Sequence, residues 1–143
     1  MRSLREGTNS GWVLNSKTRC YSGSMGISEA FQHLTMQLRD QRPSYVLAEL
    51  NDLLTGAAPD QFELLSRPSI DDDYLANYVA AMAEQAAYLK GTRPPAWISG
   101  IAPLSRPVFA VKWMSLRAHL LLESPVPFRR RNIFIDSSIG DRI

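Results

Sequence analysis

The stretch that most constrains the fold is "SIDDDYLANYVAAMAEQAAYLKG", residues 69–91. Leu75, Tyr78/Val79, Met82, Ala86 and Leu89 recur at helical spacing, the alanines favour helix strongly, and Gly91 supplies a stop. A five-turn helix with an apolar stripe has to bury that stripe against other elements, so the remaining chain is expected to supply them.

It does so mainly with more helices. Ile27, Phe31, Leu34 and Leu38 fall on one face of a first helix, with Ser28 placed as its N-cap and Pro43 ending it through Arg42. "PSYVLAELNDLLTG" predicts a second helix opened by Pro43 or Ser44, striped by Val46/Leu47, Leu50 and Leu53/Leu54, and closed by Gly56 in the left-handed conformation. The link between the two is so short that a helical hairpin or a crossed pair is expected. "APDQFELLSRP" permits one or two helical turns capped by Asp60, with Phe62 and Leu65 inward and Pro68 as the stop. "TRPPAWISGIAPLSRP" reads as a loop tethered by Trp97 and Ile98. Phe109, Trp113, Leu116 and Leu120 then predict a last long helix, 109–123, stopped by Pro125 and given a widened apolar face by Leu121 and Leu122.

The expectation is an all-α, compact bundle of four to five helices, with the 70–91 helix packed on the 109–123 helix and an irregular C-terminal segment folding back across them. Residues 27–143 form that single domain, a size that supports a core without disulfides or a structural metal. Residues 1–26 are rich in Ser and Gly, show little periodicity and offer no evident strand pairing. They read as a mobile leader, with Met25 as an alternative initiator and the preceding residues as an upstream extension or an expression scar. The single cysteine, Cys20, excludes a disulfide within the chain and suits a reducing cytoplasm. No apolar run is long enough for a membrane-spanning helix, and no secretory h-region opens the chain.

Charge is segregated along the chain. Residues 27–84 carry ten acids against Arg39, Arg42 and Arg67, whereas residues 85–143 carry nine bases against Glu123, Asp136 and Asp141. The two halves attract one another in the fold or offer faces of opposite sign to partners. The run Asp71–Asp73 is explained by the dipole at a helix start, since consecutive carboxylates do not converge on a cation.

Catalytic signatures are missing. His33 and His119 form no metal-ligand pair and stand beside no nucleophilic cysteine. "SGSMG" and "SSIGD" lack the spacing and the lysine of a nucleotide-binding loop, and carboxylate pairs such as Glu49/Asp52 and Asp60/Glu63 sit where exposed helix faces are expected. The expectation is a non-enzymatic protein with no cofactor and no metal.

The remaining feature is "ESPVPFRRRNIFID", residues 123–136. Arg129, Arg130 and Arg131 could neutralise phosphate together with Lys112, Arg117 and the leader, although no reading helix accompanies them. Alternatively, Phe128 and Ile133–Ile135 insert into the core while the guanidinium groups cap helix-end carbonyls or pair with acids such as Glu123 and Asp71–Asp73.

The segment from about Phe62 to Ile135, with "YLANYVAAMAEQAAYLKGTRPPAWI" and "SLRAHLLLESPVPFRRRNIFID", resembles a group of small bacterial helical proteins that are best represented in actinobacteria. Many of these follow an Xre-type helix-turn-helix, and the group ends in an "SLRA…ESP..FRRR.IFI" pattern. Members look like antitoxin or regulator components encoded beside nucleotidyltransferase-like toxins. No Xre-type domain precedes the shared segment in this sequence, which leaves partner binding as the function that the resemblance implies. The expected partner is therefore a protein, with a nucleotidyltransferase-like toxin encoded nearby as the candidate. The expected contact residues are Arg117, Leu121, Leu122, Arg129, Arg130 and Arg131. Homodimerisation is a further expectation, and DNA-binding regulation through the basic C-terminal segment is the alternative.

Overall fold

A computed structural model describes residues 12–15, 18–22, 25–110 and 113–136. Its elements are strands β1 (Trp12–Asn15) and β2 (Thr18–Ser22), helices α1 (Ile27–Gln37) and α2 (Pro43–Gly56), and a 3₁₀ turn at Pro59–Leu64. Helix α3 (Asp73–Leu89), a second 3₁₀ turn at Ala96–Gly100, strand β3 (Val108–Phe109), helix α4 (Met114–Glu123), the single turn α5 (Val126–Arg129) and strand β4 (Ile133–Phe134) complete them. The architecture is mostly helical, with an irregular C-terminal segment folded back, as the periodicity predicts.

Helix α3 is central. Ala80, Ala81, Ala83 and Ala87 are buried together with Val79 and Met82, and their small side chains let α2, α5 and both 3₁₀ turns approach from several sides. Phe31 and Leu34 of α1, Val46, Leu50 and Leu54 of α2, and Phe62 of the first 3₁₀ turn fill one side of this core. Phe128, Ile133 and Ile135 close the other. Trp97 is half-buried, lies 6.2 Å from Phe31 between ring centroids, and donates its indole N–H to the Leu65 carbonyl at 2.9 Å, so it anchors its loop as expected.

Several local expectations are corrected. Gly26, not Ser28, stands at the α1 N-cap and supplies no side chain; the Ser28 hydroxyl instead pairs with that of Ser66 at 2.8 Å, tying α1 to a distant loop. Gly56 ends α2 without a left-handed turn, while Gly91 after α3 does adopt one, at φ +67°. Ala58, not Asp60, precedes the first 3₁₀ turn, and its N–H donates to Gln61 Oε1 at 2.8 Å. Asp72 caps α3 by accepting from the Leu75 amide at 2.9 Å, and Asp71 pairs with Arg39 at 2.9 Å on the surface, so capping and pairing account for two acids of that run. Leu89, assigned to the apolar stripe, is exposed.

The largest correction concerns the last helix. It starts at Met114 and not near residue 109, because Val108–Phe109 is drawn into a parallel pair with Ile133–Phe134. The Val108 N–H donates to the Asn132 carbonyl at 2.8 Å, the Ala110 N–H donates to the Phe134 carbonyl at 2.9 Å, and Phe109 stacks on Phe134 at 4.8 Å. A long-range ladder thus overrides a helical spacing that local pattern alone could not distinguish. As a consequence α3 is packed by α5, while α4 leans on β4.

The expectation for residues 1–26 falls largely outside the described residues. Within them, β1 and β2 form an antiparallel pair with Val13 opposite Tyr21 and an irregularity before Asn15, which corrects the reading that this region pairs no strands. Trp, Val, Thr and Tyr supply the strand propensity. No helix among the described residues is long and apolar enough to cross a membrane.

Candidate partner-binding surface

The C-terminal segment is built as a turn that points its three arginines in different directions. Pro125 and Pro127 open α5, which lasts one turn, and Arg130, Arg131 and Asn132 reverse the chain into β4. Asn132 takes φ +61°, a left-handed conformation that asparagine tolerates better than most residues, and its amide donates to the Leu104 carbonyl at 2.6 Å. Phe128 on one side of the turn and Ile133 on the other are buried in the core, so the turn is clamped from both ends.

That clamp turns Arg131 inward. With a relative exposure of 6%, it donates to Asn77 Oδ1 at 3.2 Å and to the carbonyls of Ile101 at 3.2 Å and Ile98 at 3.0 Å. The Glu84 carboxylate lies 3.8 Å away and is itself buried. Burial pushes the Arg131 pKa down and the Glu84 charge opposes that shift, with Arg130 adding a smaller repulsion. Its Nε is buried with no hydrogen-bond partner. Arg131, expected beside its neighbours on the partner surface, is therefore an internal bracket that caps the carbonyls at the end of the second 3₁₀ turn. The acid that joins it is Glu84 and not Glu123 or Asp71–Asp73.

Arg130 is 62% exposed at its side chain and reaches Glu84 Oε1 at 3.3 Å, where the Tyr88 hydroxyl also donates at 2.9 Å. Arg129 is exposed and donates to the Leu121 carbonyl at 3.4 Å. The normal acceptor role of that carbonyl is vacant because the residue four positions on is Pro125, which has no N–H. Arg129 thereby caps the C-terminus of α4, where a cation complements the helix dipole. Ser124 joins α4 to the closing strand: its hydroxyl lies 2.7 Å from the Leu120 carbonyl and 2.8 Å from that of Ile135, and accepts from the Ile135 amide at 2.8 Å.

Helix α4 is held to the body chiefly by this serine and by Leu120, its one buried residue. Arg117 sits with its guanidinium 5.3 Å from the Phe109 ring centroid and 3.4 Å from Met114 Sδ, and its Nε is buried without a hydrogen-bond partner. The opposite face is apolar and uncovered. Met114 is 75% exposed, Leu121 46%, Leu122 80%, and Trp113 just ahead of the helix 73%. Met114, Ala118, Leu121 and Leu122 stand at i, i+4, i+7 and i+8, the spacing of a core-facing stripe, yet here the stripe faces outward.

The expected surface residues are thus divided. Arg117 and Leu121 stand one turn apart on α4, Arg129 reaches the Leu121 carbonyl at the end of that helix, Leu122 lies across the stripe, Arg130 pairs with Glu84, and Arg131 is withdrawn. Lys112 lies outside the described residues. Glu84 and Asn77 were missed, although their signal was available: they are polar residues seven apart, on one face of a helix otherwise lined with alanine.

Comparison with known proteins does not extend this picture. No family model, curated protein or solved structure matches the chain.

Elsewhere, a cleft of about 230 Å³ lies between Arg67–Pro68, the start of α3 and residues 100–104. Its most buried polar group, the Asn77 side chain, is already occupied by the Asp73 and Ala102 carbonyls and by Arg131. His33 bonds to Gln37 and His119 pairs with Glu123 at 3.0 Å, both on exposed helix faces. No group of three or more metal-ligating side chains converges among the described residues.

Proposed function

We propose that this chain is a non-enzymatic protein-binding component, antitoxin-like in role, of a bacterial toxin–antitoxin or regulatory pair that works in the cytoplasm. The carrying observation is the outward apolar stripe of α4, where Leu122 is 80% exposed although its spacing is that of a core face. Covering Leu122 fully is worth roughly 1.5–3 kcal/mol, so a partner that takes it together with Trp113 and Met114 gains the centre of an interface. The closing segment that resembles the antitoxin-linked group is the one that presents α4, through Ser124 and Arg129.

Nucleic-acid binding is the weaker reading. Arg131 is internal and Arg130 faces Glu84, so of the three consecutive arginines only Arg129 has no acid partner among the described residues. Phosphate would also leave the apolar stripe uncovered.

The test is to express the tagged protein with the products of its flanking genes and to weigh the eluate by mass spectrometry and light scattering. A stoichiometric complex that is lost on Leu122→Glu, with thermal stability unchanged because that side chain is exposed, supports the proposal. A protein that elutes alone, or a complex that tolerates Leu122→Glu, refutes it.

A further inference from the structure

The charges around α4 are not symmetric, and their asymmetry says what kind of surface covers it. Arg117 stands three residues after Met114 and four before Leu121, so it borders the stripe on one side. Arg129, held on the Leu121 carbonyl at 3.4 Å, sets a second exposed cation at the C-terminal end of the helix. Neither guanidinium pairs with a carboxylate among the described residues; Arg117 has only the Phe109 ring and a thioether, and a buried Nε without a partner. The other border carries His119 and Glu123, paired at 3.0 Å. Among the described residues one edge carries a cation with no carboxylate paired to it, while the other already holds its own carboxylate.

Resting on the reading of α4 as the partner face, we infer that the partner lays an amphipathic helix along α4 with carboxylates on one edge only, that Arg117 reads that edge, and that Arg129 reads its end at the C-terminus of α4. The ten residues of α4 span about 15 Å, and the stripe is about 100° wide, dimensions that one packed helix covers. Guanidinium groups bordering an apolar seam choose orientation, because a helix laid in the reverse sense puts its acids against Glu123. Two other occupants fit less well. A second copy packed antiparallel about a two-fold axis sets Arg117 against its own counterpart, and one packed parallel offers it only Glu123, which already pairs with His119. An anionic lipid surface meets both edges alike, and Glu123 is repelled by it.

The experiment uses the co-expressed complex and measures its affinity across salt concentrations. Arg117→Glu and Arg129→Glu, made singly and together, are each expected to weaken binding at least tenfold, and Arg129→Glu is the safer variant because it leaves the Phe109 contact intact. Wild-type affinity should fall as salt rises from about 50 to 500 mM, and that slope should flatten in the Arg117→Ala, Arg129→Ala double variant. A complex that is indifferent to these substitutions and to salt overturns this inference while leaving the protein-binding reading in place, whereas the absence of any complex overturns both. Two further results overturn it: a dimer of the chain alone that Leu122→Glu dissolves, or binding to phosphatidylglycerol-containing vesicles that Leu122→Glu abolishes.

Discussion

Replacing Arg131 with methionine is the most informative perturbation of the fold. The substitution keeps most of the apolar stem but removes the donors that satisfy Asn77 Oδ1 and the carbonyls of Ile98 and Ile101, and it leaves the buried Glu84 carboxylate with the exposed Arg130 as its cation and the Tyr88 hydroxyl as its other donor. Removing one partner of a buried pair costs about 3–5 kcal/mol, much of it the penalty of the charge left behind. Arg130→Met removes a guanidinium that water already solvates and should cost about 0–1 kcal/mol. Against a total stability of roughly 5–15 kcal/mol, the first change is severe and the second is not. Urea titration followed by tryptophan fluorescence, with Trp97 reporting from the core edge, reads the difference. For a slope near 1.5–2 kcal/mol/M, Arg131→Met should lower the midpoint by about 2 M and Arg130→Met by less than about 0.7 M. If the stranded carboxylate is the cause, adding Glu84→Gln to Arg131→Met should recover part of the loss. Equal midpoints for the two single variants, or no recovery in the double variant, would refute the argument.

Two other outcomes are expected. Asn132→Ala should destabilise by about 1–3 kcal/mol in thermal or urea melts, because it loses the bond to the Leu104 carbonyl and places a Cβ-bearing residue without that compensation at φ +61°, while Asn132→Gly relieves the backbone and should cost less. Burial, with the Asp72 charge in second place, holds the Tyr74 phenol above its ordinary pKa near 10.0. The folded state therefore keeps this proton when the unfolded chain has lost it. The resulting stabilisation is fully present below pH 10.0 and is lost as pH rises from there through the folded-state value. Tyr74→Phe should remove that part of the alkaline fall in stability; an identical pH profile for the variant would contradict it.

What could be read in advance followed from short-range physics. The stripe of α3, the stop at Gly91, the short link between α1 and α2, and the inward Phe62 and Leu65 all depend on spacing within a few turns and on the fixed backbone preferences of Gly and Pro. The same spacing misread residues 108–113, because Val108 and Phe109 suit a strand as well as a helix and the choice was made by Ile133 and Phe134, more than twenty residues on. Ser28 likewise looked like a cap, but its hydroxyl serves a contact with Ser66, thirty-eight residues away.

The arginine cluster divides on the same line. The sequence alone determined that three adjacent guanidinium groups follow a proline-opened turn, and that Phe128 and Ile133 flank them as apolar anchors. Which arginine enters the core depends on the path of the turn, set by the left-handed Asn132 and by the burial of Phe128 and Ile133 on either side. Tertiary structure then placed Glu84 and Asn77 of α3 opposite Arg131, left Arg130 at the rim of that pair, and gave Arg129 the carbonyl freed by Pro125. It also turned the apolar stripe of α4 outward, since the body-facing side of that helix was already fixed by Leu120 and Ser124. Periodicity specifies that a face is apolar; only the arrangement of distant segments decides whether the chain itself covers it.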